Sequence, residues 1–150
     1  MHRRPLGRAR WLAVIGAIAI LVGCLLPWYT IGGGPDQLPV HTWSVLNLSE
    51  NQAAPGILAF LAALLTIALV TLPYATGGRP VALDAWPAYL IFLILAVVGV
   101  GGWLLQLVSW GGLDPTGLLP ANAPGYWIAV VGTIILGRAV FEIHQQPLAP

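Results

Sequence analysis

Four long apolar runs limit the folds that this 150-residue chain can adopt more than any other feature of its sequence. Each run is apolar around the whole circumference of a helix, whereas a surface helix of a globular protein keeps one polar face. At 1.5 Å per residue, about 20 residues cross a hydrocarbon core about 30 Å thick. We therefore predict an all-α integral membrane protein, a four-transmembrane-helix bundle that forms a single transmembrane domain over residues 1–150. The predicted helices cover about 11–29, 55–73, 85–109 and 125–143.

The segments between these runs are too short for an independent soluble domain. Charged residues make up 7% of the chain and apolar residues 58%, whereas soluble domains carry about 25% charged residues. The composition excludes a soluble enzyme, a nucleic-acid-binding protein and a receptor with a folded ectodomain, and it predicts a lipid bilayer as the surroundings. The remaining segments are an outer loop at 30–54, an inner loop at 74–84, an outer loop at 110–124 and a C-terminal tail at 144–150.

The distribution of arginine predicts the orientation of the chain. All six basic residues are arginine, and basic residues in short loops stay on the cytoplasmic side of a membrane. A cytoplasmic N-terminus places all six on that side and none in an outer loop. We therefore predict a multi-pass protein of the cell inner (plasma) membrane with both termini in the cytoplasm, and the lysine-free composition favours a bacterial source. The arginines are Arg3, Arg4, Arg8, Arg10, Arg79 and Arg138.

Prolines and aromatic residues mark the ends of the predicted helices. Pro27 has no N–H to donate to the Gly23 carbonyl, which predicts a break in the last turn of helix 1. Pro55 and Pro87 suit the first turns of helices 2 and 3, where a missing donor costs nothing. Trp and Tyr rings near the ends of membrane spans are expected at headgroup depth. These rings are Trp11, Trp28, Tyr29, Tyr74, Trp86, Trp110, Tyr126 and Trp127.

The chain has one cysteine, Cys24, in the tetrad Leu21-Val22-Gly23-Cys24. Together with the arginine-rich leader and the apolar stretch before it, this tetrad resembles the lipobox of bacterial lipoprotein signal peptides. The resemblance implies lipidation of Cys24 and a mature chain of three spans that starts there. However, the apolar run continues past the cysteine and completes a helix of membrane length. An uncleaved first span is therefore the competing interpretation, and the one that we prefer.

Arg138 and Glu142 are charged residues within predicted helix 4. Their i,i+4 spacing puts them on one helix face, where they can pair. Placing a charged side chain in hydrocarbon costs free energy, so a charged residue within a span suggests a functional role by default. Arg138 lies roughly 20 Å from the start of the helix, which is near enough to the inner surface for its guanidinium to snorkel. We predict an ion pair at the inner interface, with an ion pathway through Arg138 as the alternative.

Few polar side chains are predicted at membrane depth. Thr66, Thr71 and Thr133 are expected to donate to carbonyls of their own helices, and Gln106 is expected to bridge helices near the outer face. No Asp, Glu, His or Lys occupies the middle of a span, and no arrangement of Ser, Cys or His with a carboxylate indicates nucleophilic catalysis. These features argue against proton-coupled transport, a metal site and catalysis. We predict no cofactor and no enzymatic activity.

The first outer loop is the longest segment without a predicted helix. Loops of this length are uncommon unless they are functional, so we predict a partner-binding role for His41, Trp43 and Leu46. Trp43 and Leu46 fit one face of a short interfacial helix. The alternation of Trp43 with Val45 fits a strand instead. The sequence leaves both interpretations open.

Recurring patterns bear on the architecture of the bundle. Ala-Pro-Gly opens helix 2 at position 54 and helix 4 at position 123, and a Trp followed by Gly-Gly and Asp occurs after helix 1 and after helix 3. Duplication of a helical hairpin, which gives two parallel repeats, accounts for this, as does the common use of these residues at helix ends. Small residues at four-residue intervals, such as Ala13 and Ala17, predict close helix packing.

The sequence thus predicts a non-catalytic accessory or scaffold subunit. We expect it to dock to other membrane protein subunits, or to associate with itself, through its helix faces and first outer loop. A small oligomeric transporter or channel with Arg138 and Gln106 facing its lumen is one alternative. A lipidated membrane protein processed at Cys24 is another.

Overall fold

The computed structural model describes residues 7–31, 41–45, 54–75, 85–109 and 115–145. Within these residues, four helices are long and apolar enough to cross a membrane, as the four apolar runs predict. The elements in chain order are α1 (Arg8–Leu25), β1 (Tyr29–Ile31), β2 (His41–Trp43), α2 (Ala54–Ala75), α3 (Trp86–Ser109), the short 3₁₀ helix η1 (Pro115–Leu118) and α4 (Pro124–His144).

The first helix differs most from its predicted bounds. α1 ends at Leu25 rather than at 29, and Leu26 has an extended backbone with φ −95° and ψ 163°. The break occurs there because Pro27 cannot donate to the carbonyl one turn earlier. At the other end, α1 begins at Arg8 rather than at 11. The other three helices begin and end within two residues of the predicted positions.

The four helices form a ring in the order α1, α2, α3, α4. α1 packs most extensively against α4, and α2 packs against α3, whereas the contacts of α1 with α2 and of α3 with α4 are smaller. We call the end of the ring where α1 ends and α4 begins the ribbon end, because it carries the paired strands β1 and β2. The opposite end, with Arg8 and His144, is the termini end.

Glycines allow the backbones of α1 and α4 to touch. A Cβ on Gly16 would lie 2.8 Å from the Gly132 carbonyl oxygen, and a Cβ on Gly132 would lie 2.8 Å from the Gly16 carbonyl oxygen. Seven residues later in α1 and seven residues earlier in α4, a Cβ on Gly23 would lie 2.7 Å from the Gly125 carbonyl oxygen. The contact positions repeat every seven residues, as in left-handed coiled coils. Residues at four-residue spacing also take part in close packing, since Ala13 and Ala17 are fully buried and a Cβ on Gly23 would meet both Gly125 and Ala129.

The pair α2 and α3 is also built on a glycine. A Cβ on Gly99 would meet the backbone nitrogen of Ala59 and would lie 2.9 Å from the Pro55 carbonyl oxygen. Glycine and alanine therefore line the closest contacts of these helix pairs, while many large aliphatic side chains face outward. Such an arrangement suits a bilayer, where close backbone packing, rather than the burial of large apolar groups, holds helices together. The most exposed large apolar residues include Leu25, Ile91, Leu105 and Ile134.

The threonine hydroxyls donate hydrogen bonds to carbonyls of their own helices, which confirms the prediction. Thr66 Oγ1 donates to the Ala62 carbonyl at 2.8 Å, and Thr133 Oγ1 donates to the Ala129 carbonyl at 2.8 Å. Thr71 Oγ1 donates to the Ile67 carbonyl at 3.0 Å. These hydroxyls need no partner on another helix.

Candidate functional site

At the ribbon end, a side-chain hydrogen bond supplies a donor to the carbonyl that the break in α1 leaves without its usual helical partner. Trp28 Nε1 donates to the Gly23 carbonyl oxygen at 2.9 Å, and the Leu26 N–H donates to the same oxygen at 3.2 Å. The Gly125 N–H at the start of α4 donates to the Pro27 carbonyl at 2.9 Å. The chain leaving α1 is therefore tied to α1 itself and to the first turn of α4.

Trp28 belongs to a buried group of three rings at this end of the bundle. Its ring meets the Trp103 ring edge to face at 5.2 Å between centroids, and it meets the Tyr126 ring at 5.7 Å. Trp103 and Tyr126 lie 5.5 Å apart. Edge-to-face rings at these distances attract one another beyond the effect of burial alone. The three rings join the end of α1, the second half of α3 and the start of α4.

Burial divides the aromatic residues at the span ends into two groups. Trp28, Tyr29 and Tyr126 are buried within the protein. Trp11 and Trp127 are exposed, at 54% and 43%, as the prediction for interfacial rings requires. Sequence position alone does not separate the two groups, because both occur beside the same kinds of loop residue.

The β1–β2 ribbon covers this end of the bundle. Its strands are antiparallel and pair Tyr29 with Trp43 and Ile31 with His41. The strand interpretation is therefore confirmed for Trp43, whereas Val45 lies two residues beyond the end of β2. Nothing is described for Leu46, which lies outside the described residues. The ribbon thus presents the backbone of two of the three predicted partner-binding residues.

Contacts at both edges hold the ribbon in place. Thr30 Oγ1 donates to the Asn122 carbonyl at 2.7 Å, and a Cβ on Gly117 of η1 would meet the Tyr29 ring. On the other side, a Cβ on Gly56 in the first turn of α2 would lie 2.8 Å from Val45 Cγ2. The ribbon therefore packs against the connection before α4, and Val45, two residues after β2, packs on the first turn of α2. We call residues 29–31, 41–45 and 115–122 the ribbon platform.

Gln106 lies on α3 one turn beyond Trp103, close to the ribbon end. Its Oε1 atom is buried and accepts no hydrogen bond within the described part of the chain. The interhelical bridge predicted for Gln106 is therefore not found at this oxygen. A buried amide oxygen without a donor is costly, which makes Gln106 the least satisfied polar group at this end.

The termini end carries the predicted ion pair. Arg138 Nε donates to Glu142 Oε1 at 3.1 Å, and Arg8 Nε of α1 lies 4.0 Å from Glu142 Oε2. The Arg138 side chain is 62% exposed, as expected for a guanidinium that reaches toward the interface. One carboxylate thus links the start of α1 to the last turns of α4. Trp86 at the start of α3 adds a ring contact with His144 at 4.8 Å.

Cys24 lies in the last full turn of α1 and is fully buried. The residues before it include Gly16 and Gly23, which make the closest backbone contacts with α4. Cleavage at Cys24 would remove most of the helix that packs against α4. Lipidation of Cys24 stays a prediction, and in the uncleaved chain the thiol is out of reach.

Two features of the site are not evident from the sequence. Trp103 lies inside an apolar run like its neighbours, yet it completes the three-ring cluster. The seven-residue spacing of Gly16 with Gly23 and of Gly125 with Gly132 is visible in the sequence, but only the structure shows that the two pairs face each other. Among the described residues, no group of three or more His, Cys, Asp or Glu side chains is placed to hold a metal ion.

No family model, no curated protein and no solved structure matches the chain.

Proposed function

We propose that this protein is a non-catalytic accessory or scaffold subunit of a larger membrane complex, which it joins through the ribbon platform and its lipid-facing helix surfaces. We place it in a bacterial inner membrane with both termini in the cytoplasm, on the strength of the arginine distribution. The observation that carries the proposal is the ribbon platform itself, an outer-loop structure held against the bundle from both sides.

The seating of the ribbon supports a docking role because a rigid surface loses little conformational entropy when a partner binds. Thr30 is bonded to the connection before α4, and Val45 packs on the first turn of α2. Holding residues 29–31 and 41–45 in one backbone arrangement costs conformational entropy. A binding role for this surface accounts for that cost.

The interior of the bundle favours this role over transport. The rings of Trp28, Trp103 and Tyr126 fill the space between α1, α3 and α4 at the ribbon end. Arg138 lies at the termini end and Gln106 near the ribbon end, on different helices. A transporter would have to line its pathway with both residues in an oligomer, and no contact among the described residues brings them together.

We also infer that the chain arose by duplication of a helical hairpin. A similar contact occurs twice, one residue apart in the register of the two Ala-Pro-Gly segments: the Pro55 carbonyl approaches a Gly99 Cβ position, and the Gly125 carbonyl approaches that of Gly23. In each case the first turn of an incoming helix packs on a glycine of an outgoing helix. This recurrence supports two parallel repeats, as the Ala-Pro-Gly pattern suggests.

The test is affinity purification of the full chain, tagged at its C-terminus, from native membranes in mild detergent. We expect a protein partner in constant proportion. Gly117→Val should release it, because the new side chain would displace the Tyr29 ring and unseat the ribbon. Gly137→Ala should retain it, because a Cβ there would be 3.7 Å from Leu93 Cδ1, an ordinary contact. Docking through the platform would be refuted if the unaltered chain purified without any partner. It would also be refuted if Gly117→Val retained the partner in full.

A further inference from the structure

Arg138 lies on the outward-facing surface of α4 rather than inside the bundle. The exposed residues of α4 follow one another in steps of three or four, so they form a single stripe along one side of the helix: Trp127, Val131, Ile134, Arg138, Phe141 and His144. The Arg138 side chain is 62% exposed. A guanidinium in this stripe meets lipid and finds polar partners only by reaching the membrane surface.

The Arg138 guanidinium is held toward the termini end. Its Nε donates to Glu142 Oε1 at 3.1 Å, one turn nearer the end of α4, and its Cζ lies 5.8 Å from the centroid of the Phe141 ring. α4 ends at His144, which is about 9 Å along the helix axis from Arg138. The guanidinium therefore lies where the acyl chains of a phospholipid give way to its headgroup.

Arg8 of α1 brings a second guanidinium to the same place. Its Nε lies 4.0 Å from Glu142 Oε2, and its side chain is 84% exposed. The contact of Gly16 with Gly132 sets the register of the two helices, and this register puts Arg8 within about 3 Å of the level of Arg138. Two exposed guanidiniums thus lie at one depth where α1 meets α4, one beside each oxygen of a single carboxylate.

The charges of this group do not cancel. Glu142 supplies one negative charge against two positive charges, and its side chain is only 17% exposed. A guanidinium has five N–H donors, and both arginines approach Glu142 through Nε. No hydrogen bond from their Nη atoms is found within the described residues. The group therefore offers a net positive charge and unused planar donors, which suit the oxygens of a phosphate.

The surroundings of the two arginines indicate the source of the phosphate. Ile134 and Val131 continue the exposed stripe toward the middle of the membrane, where they meet acyl chains. A phospholipid covers this stripe and the guanidiniums together, whereas a free phosphate ion leaves the stripe bare. A headgroup with a net negative charge matches the net charge of the group, whereas a zwitterionic headgroup would bring a further cation beside two guanidiniums.

We propose that Arg8 and Arg138 bind the phosphate of an anionic phospholipid on the outer surface of the bundle, where α1 meets α4 at the termini end. This lipid site lies at the opposite end of the bundle from the ribbon platform. Loss of a docking partner in Gly117→Val would leave lipid binding intact. The two proposals can therefore fail separately.

Spin-labelled lipids measure the preference of the full chain for an anionic headgroup. The protein is reconstituted in phosphatidylcholine vesicles, and electron spin resonance compares the association of labelled phosphatidylglycerol with that of labelled phosphatidylcholine. We expect phosphatidylglycerol to associate about fivefold more strongly, which is the effect of one net positive charge near the membrane surface. Both leaflets receive the labelled lipid, so the result does not depend on orientation. Equal association of the two lipids with the unaltered chain would overturn the proposal.

Removal of single charges locates the site. Arg138→Gln and Arg8→Gln each leave one guanidinium beside Glu142, so each should remove most of the preference for phosphatidylglycerol. Arg79→Gln removes the same charge from the predicted inner loop and should keep the preference. Circular dichroism and thermal unfolding check that the variants fold; should Arg138→Gln not fold, Arg8→Gln and the unaltered chain still decide. Retention of the preference by either site variant, or an equal loss in Arg79→Gln, would refute the site.

Inorganic phosphate distinguishes a lipid headgroup from a free ion. Added to the vesicles in large excess at constant ionic strength, it should leave the preference for phosphatidylglycerol unchanged. Loss of the preference would assign the arginines to a free phosphate ion and overturn the lipid as their ligand.

Discussion

The indole N–H of Trp28 donates a hydrogen bond to the Gly23 carbonyl oxygen at 2.9 Å. Pro27 cannot supply the usual helical donor to this oxygen, so the side chain that follows the proline takes over part of its role. The same indole ring packs against Trp103 and Tyr126. One residue therefore supplies a hydrogen-bond donor to the last turn of α1 and links three helices.

Trp28→Phe should lower the stability of the bundle. The variant keeps most of the ring but removes the N–H, and the net loss for such a hydrogen bond is about 1 kcal/mol, to which lost ring contacts add. Unfolding in mixed micelles by a denaturing detergent measures the change. Trp11→Phe, at an exposed position, is the control and should have little effect. Equal losses in the two variants would contradict the role assigned to Trp28.

Gly16→Ala and Gly132→Ala should each destabilise the contact between α1 and α4. A methyl group at either position would lie 2.8 Å from a carbonyl oxygen of the facing helix, and overpacking of this kind costs about 1–3 kcal/mol.

Gly137→Ala is the matched control for these two changes. Its methyl group would make ordinary contacts with Leu93, and alanine is favoured over glycine in a helix by about 1 kcal/mol. This variant should be as stable as the unaltered chain or more stable. The close-contact interpretation fails if all three variants shift the unfolding midpoint alike.

Arg138→Leu should have a modest effect on folding and insertion. The arginine side chain is 62% exposed, and exposed ion pairs contribute about 0–1 kcal/mol. Glu142 also keeps Arg8 at 4.0 Å. Unfolding at low and high ionic strength should show a small difference that disappears in the variant. A loss of more than about 3 kcal/mol would indicate a buried pair instead.

Cys24 should react slowly with a maleimide in the folded protein and rapidly after unfolding in a strong detergent, because its side chain is fully buried. Intact-mass measurement on the same sample separates the two interpretations of the lipobox-like tetrad. An uncleaved first span predicts a chain that still contains the residues before Cys24. A shorter chain carrying lipid at its new N-terminus would establish processing there.

A tag fused after Pro150 should be protected from protease in intact cells and cleaved after the membrane is opened. The expectation follows from the arginines, which all lie on one side if the N-terminus is cytoplasmic. Exposure of the tag on intact cells, with the N-terminus inside, would contradict the predicted orientation and the even number of spans.

The positions of the four helices were predictable because the free energy of transfer into lipid adds up residue by residue along a stretch of about 20. The early end of α1 could also be anticipated in kind, since Pro27 lacks a donor whatever surrounds it. The pairing of Arg138 with Glu142 follows from their spacing on one helix. Each of these features depends on neighbours within a few positions in the chain.

Only the tertiary structure decided which rings are buried and which helices touch. Trp28 and Trp127 occur beside similar loop residues, yet one is buried and the other is exposed, because burial depends on Trp103 and Tyr126, which are distant in the chain. Likewise, glycine is common in this sequence, but its effect at Gly16 differs from that at Gly101 because only the former faces another helix in the same chain. Local chemistry determines where this chain crosses the membrane, whereas contacts between distant residues determine how the crossings fit together.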